Sequence, residues 1–151
     1  MQVLVFGSNA QGFHGAGSAG LAFKNDARNN WREHGQFLKA MKSPIGSPDR
    51  IGFRAVFGIA RGFQTGTHGS SYAIQTVTRP GEKRSIPLSE IKSQIQELIT
   101  FANEHPDYNF GVTNIGEGYA GYSREEMNFS IWNTLELPTN IIRIHKNNIV
   151  W

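Results

Sequence analysis

The chain has 151 residues, enough for one domain with a real core and too few for two ordinary ones. It contains no cysteine, which excludes disulfides, thiolate metal sites and thiol nucleophiles. Fifteen Lys and Arg against twelve Asp and Glu give a net charge of +3, but the basic residues are scattered, so a nucleic-acid partner is not indicated.

Hydrophobic residues make up 38% of the chain and never run long enough to span a bilayer. The first residues carry a short apolar run without the basic start or cleavage site of a signal peptide. The expectation is a single α/β domain over residues 1–151, with no membrane partner and a cytoplasmic location.

Residues 3–6, Val-Leu-Val-Phe, show no alternation and predict a buried, central strand. Residues 7–17 follow as a glycine-rich loop, and a helix is expected from about Ser18 through Leu21, Ala22 and Phe23. Residues 24–50 are polar and read as an irregular insertion carrying Trp31 and Phe37. Strands are expected at 51–57 and 72–78, joined by a second glycine-rich loop at 58–69. Residues 79–85 form a basic turn.

Ser89 is expected to cap a helix whose apolar face is Ile91, Ile95, Leu98 and Ala102, ending before Pro106. A strand at 108–113 leads into a glycine-rich turn at 116–122. Ser123-Arg124-Glu125-Glu126 has the pattern of a capping box opening a helix through Met127, Ile131 and Trp132. Residues 140–144 are the last expected strand. Strand, loop and helix alternate, which predicts a largely parallel sheet.

Open α/β sheets bind ligands beyond the carboxyl ends of their strands. The loops at 7–17 and 116–122 each lie between a strand and a helix. Glycine there allows positive φ and close approach to main-chain N–H groups, which suits a diphosphate. The glycines at 7, 12, 15 and 17 fit neither the dinucleotide fingerprint nor a P-loop. From the residues alone, the inference ends at an anionic small-molecule site.

Val5-Phe6-Gly7-Ser8-Asn9 with His14-Gly15-Ala16-Gly17-Ser18-Ala19 resembles the first strand and phosphate loop of macrodomains. The stretch Phe110-Gly111-Val112-Thr113-Asn114-Ile115-Gly116-Glu117-Gly118-Tyr119-Ala120-Gly121-Tyr122 resembles their second signature. The pairing is closest to a macro-like group common in bacteria and their phages, which also has a Ser-Tyr-Ala-Ile strand.

The resemblance implies a three-layer α/β/α domain with a mixed, largely parallel sheet that binds ADP-ribose or a related NAD-derived nucleotide. In its terms Gly7, Ser8 and Asn9 line the pocket, with Asn9 on the distal ribose. Gly15, Ala16 and Gly17 donate to one phosphate. Ile115, Gly116, Glu117, Gly118 and Tyr119 close over the other phosphate and the ribose. No metal and no cofactor are expected.

Some macrodomains hydrolyse ADP-ribosyl bonds and some only bind. One hydrolytic branch uses a Lys and an Asp where this chain is matched by Val77 and Ala120, and another uses an Asp where Ser18 and Ala19 fall. The remaining catalytic candidates are Asn9 to position water, with Glu117 or His14 for proton transfer. Against these stand a solvated loop Glu and a hydrogen-bonded loop His. Arg61 and Arg79 are candidates to face phosphate, and Phe13 and Tyr119 to stack on a base. His68 is a weaker candidate, and His105 and His145 lack metal-ligand spacing.

Three functions follow. The first is a reader or sponge of a nucleotide signal, in the host cytoplasm if phage-encoded. The second is a hydrolase acting on an ADP-ribosylated macromolecule or an ADP-ribose derivative. The third, a structural or nucleic-acid partner, rests only on the basic bias.

Overall fold

The computed structural model describes residues 2–14, 19, 58, 60–65, 70–145 and 148–150. The strands are β1 (Gln2–Asn9), β2 (Gly62–Thr65), β3 (Ser70–Val77), β4 (Asn109–Val112), β5 (Ile141–His145) and β6 (Asn148–Val150). Two α-helices, α1 (Leu88–Glu104) and α2 (Arg124–Ser130), and two 3-10 turns, Gly118–Ala120 and Trp132–Thr134, complete the described elements.

The strands form one sheet in the order β2-β3-β1-β4-β5-β6. The four inner strands run parallel, while β2 and β6 pair antiparallel at the edges. The architecture is therefore α/β with a mixed sheet that is parallel at its centre. The carboxyl ends of β3, β1, β4 and β5 all point to one edge.

The apolar run of β1 is buried on both faces. Val3 and Val5 join Tyr72, Ile74, Phe110, Val112 and Ile141 in the cluster under the helices. Leu4 and Phe6 alternate onto the opposite face and are also fully buried. The expected helix from Ser18 is represented only by Ala19, which is helical. The insertion at 24–50 and the strand expected at 51–57 lie outside the described residues, and so does any second helical layer.

Helix α1 covers the first face with Ile91, Ile95, Leu98 and Ala102. Gln94 is 1% exposed on the same face. Its amide donates to the Gln75 carbonyl at 2.8 Å and accepts from the Gln75 N–H at 2.6 Å. Strand β2 pairs with β3 only as far as Ala73, so Gln94 satisfies the backbone of β3 just beyond that point.

Several boundaries differ from the sequence expectation. Helix α1 begins at Leu88 with Pro87 at the cap position and no side-chain cap, so Ser89 lies inside the helix. The segment 58–69 is not all loop, because β2 runs through it and adds to the sheet edge. β5 is followed by β6, an antiparallel return too short to be visible in the composition. Helix α2 stops at Ser130, and Trp132 lies in a 3-10 turn.

Candidate functional site

Strand β1 does not stop at Phe6. Gly7 and Ser8 stay in register with Ile74 and Gln75 of β3, so they belong to the sheet and not to a phosphate loop. The register shifts between Ser8 and Asn9, which still pairs with Val77, and the chain leaves the sheet after it. The Asn9 side chain then closes its own loop. Its carbonyl oxygen accepts from the N–H of Gln11 and of Phe13, both at 3.1 Å, and its amide donates to the Phe13 carbonyl at 2.9 Å. At 6% exposure, Asn9 is a buried loop staple.

His14 ends this loop with its ring fully buried. Its Nε2 lies 2.9 Å from the Ser8 hydroxyl, and its ring meets Phe6 edge-on at 5.3 Å. Gly12 adopts φ +71 and a Cβ there would lie 2.8 Å from the backbone of Gly58, whose N–H donates to the Gly12 carbonyl. Gly12 is thus required by backbone-to-backbone contact. Gly15, Ala16 and Gly17 lie outside the described residues, while Phe13 projects outward.

β4 lies beside β1 and parallel to it. Beyond its end, the N–H and hydroxyl of Thr113 both donate to the Val5 carbonyl, at 3.1 and 2.9 Å. Ile115 turns into the core. Gly116 has φ +82, and a Cβ there would sit 2.5 Å from Sδ of Met127, which is fully buried. Ile115 and Gly116 therefore serve packing. Gly118 (φ +62) has open space where its side chain would be, and Tyr119 is 81% exposed.

The turn is held from behind. The Tyr122 hydroxyl donates to the Ile86 carbonyl at 2.7 Å, and the Arg84 N–H donates to the Ala120 carbonyl at 2.7 Å. The capping box of α2 forms as expected: Ser123 accepts from the Glu126 N–H and Glu126 accepts from the Ser123 N–H. Glu126 also takes a two-pronged contact from Arg84, at 2.8 and 2.6 Å. That guanidinium, with the Ser123 backbone N–H, lowers the Glu126 carboxyl to about 2.

Glu117 lies on a different surface of the same turn. It lines a small cleft with Val112, Thr113 and Asn114 at the end of β4. Arg124 from α2, Trp132, and Arg143 and Ile144 of β5 form the rest of the wall. Arg143 sits 4.7 Å over the Trp132 ring and donates to Asn128 at 2.8 Å. Burial holds the Arg143 pKa below its ordinary value; Arg124 adds to the lowering and Glu117 opposes it.

Arg61 and Arg79 do not face this edge as free cations. Arg61 is bound by Glu97 at 2.6 Å and Glu90 at 3.1 Å, and Arg79 by Glu82. The Arg79 partner is three residues away and visible in the sequence, whereas those of Arg61 are 29 and 36 residues away. His105 packs against both Phe101 and Tyr108. Arg124, Arg143 and Trp132 were not sequence candidates. The available signal was Arg143 itself, an arginine interrupting the apolar run Ile141-Ile142-Arg143-Ile144.

Among the described residues, no three His, Asp or Glu side chains converge to hold a metal, and no helix is long and apolar enough to cross a membrane. No family model, no curated protein and no solved structure matches the chain.

Proposed function

We propose that the protein binds ADP-ribose or a related NAD-derived nucleotide, as a reader or sponge, at the edge where β1 and β4 end. The supporting observation is the parallel pairing of β1 with β4, which brings the two glycine-rich segments out side by side. This is the crevice in which open α/β sheets take ligands. The Gly118 backbone lies open, and the exposed Phe13 and Tyr119 rings offer faces to a base. The motif resemblance to macrodomains supplies the choice of nucleotide.

Binding is preferred over hydrolysis because two of the three catalytic candidates are already engaged. Asn9 holds its loop and His14 is buried against Ser8 and Phe6. A hydrolytic role would then fall to Glu117.

Calorimetric titration with ADP-ribose, with the mixture followed by chromatography, tests the reading. Micromolar or tighter binding with intact ligand is expected. An ADP-ribosylated peptide should also remain intact, and release of ADP-ribose from it would establish the hydrolase instead. The absence of heat at millimolar ligand would contradict the nucleotide reading altogether.

A further inference from the structure

The described residues include five arginines: Arg61, Arg79, Arg84, Arg124 and Arg143. The first three are each paired with a carboxylate within 3.1 Å. The other two form no ion pair among the described residues, and both line the cleft at the ends of β4 and β5. Among the described residues, Glu117 is the one carboxylate in the lining of that cleft. Two guanidinium groups therefore face a single negative charge, and the excess positive charge favours an added anion.

Arg143 is held by two side chains. Trp132 supports one face of its guanidinium and Asn128 fixes one nitrogen. A guanidinium held in this way loses little freedom on binding an oxyanion. Thr113 contributes further polar lining. The cleft is small and open to solvent, so an oxyanion would be met at its mouth and a whole dinucleotide would not be enclosed. The nearby Glu117 carboxylate disfavours a bare anion and favours a molecule with a hydroxyl to donate to it.

We propose that the Arg124–Arg143 cleft is an oxyanion site that takes the phosphate of a hydroxylated phosphate ester. The cleft shares Glu117 and the end of β4 with the nucleotide reading. It does not rest on that reading, because its two cations come from α2 and β5 and none of its described lining comes from the β1 loop.

The test is titration of the full chain with inorganic phosphate and with ribose 5-phosphate at constant ionic strength, following the arginine Nε resonances by NMR. Saturable shifts of Arg124 and Arg143 are expected, with ribose 5-phosphate binding more tightly than phosphate. Arg124→Gln and Arg143→Gln should each weaken binding about tenfold, by loss of one charge-assisted contact. Glu117→Gln should tighten inorganic phosphate a few-fold, and this arm stands even if Arg143→Gln fails to fold. Arg79→Gln, in a surface pair, should change nothing.

Equal weakening by Arg79→Gln, or wild-type affinity in Arg124→Gln and Arg143→Gln, would overturn the site. Repeating the titration with excess ADP-ribose identifies the source of the oxyanion. Unchanged phosphate binding supports a separate ligand, and competition supports a phosphate of the nucleotide itself in the cleft.

Discussion

The segments that follow β1 and β4 are both glycine-rich and both leave the same sheet edge, yet they are held in opposite ways. The β1 segment is closed from within, by three hydrogen bonds of the Asn9 side chain. The β4 segment is held from outside, by Met127 under Gly116, Tyr122 on Ile86 and Arg84 on Glu126. The same residue type therefore does unlike work in the two places. Gly12 and Gly116 make room for a neighbour, whereas Gly118 leaves its backbone open at the surface.

The sharpest way to break this comparison is Gly116→Ala. Positive φ and the contact with Met127 together predict a loss of about 3 kcal/mol, read as a lowered denaturant midpoint. Asn9→Ala comes next. It leaves the N–H groups of Gln11 and Phe13 without their acceptor, and the expected loss is about 2 kcal/mol. Asn9→Asp keeps the acceptor and should recover about half of that loss in the same assay. If Asn9→Ala were neutral, the β1 loop would be held by something other than its staple.

Gly118→Ala should cost only about 1 kcal/mol, because φ +62 is strained but nothing obstructs a Cβ. A loss equal to that of Gly116→Ala would erase the distinction between packed and open glycines.

The smallest effect belongs to the Arg84–Glu126 contact, which is exposed to solvent. The folded Glu126 carboxyl is depressed, so its contribution is present above the ordinary carboxylate range and disappears as pH falls towards about 2. Thermal midpoints of wild type and Glu126→Gln, which retains the cap, should differ at neutral pH and converge in acid. A gap that widens on acidification would show that the carboxylate is not held by Arg84 and Ser123.

The elements legible in the sequence are those written in local periodicity. The unbroken apolar run at 3–6, the spacing of Ile91, Ile95, Leu98 and Ala102, and the Ser123–Glu126 box each carry their structure within a few residues. What was illegible depends on distant partners. Gly7 and Ser8 look like loop residues, but pairing with Ile74 and Gln75 holds them in β1. β2 is hidden by the glycines around it, and Arg61 finds its carboxylates on a helix that follows two strands later.

The site was legible to the same degree. The motifs located the edge of the sheet that carries Asn9, Glu117 and Tyr119. They did not reveal that Asn9 and His14 are committed to the loop, because those bonds depend on its folded path. Nor did they reveal the Arg124–Arg143 cleft, whose two cations are nineteen positions apart in sequence and meet only when β5 pairs with β4.

The most direct measurement is backbone amide NMR of the full chain during titration with ADP-ribose. The account predicts saturable shifts in the segment 10–14 and at Glu117, Gly118 and Tyr119 together, with α1 and the Gln94–Gln75 contact unchanged. Shifts confined to one of the two segments, or none at either, would contradict a nucleotide seated between the ends of β1 and β4.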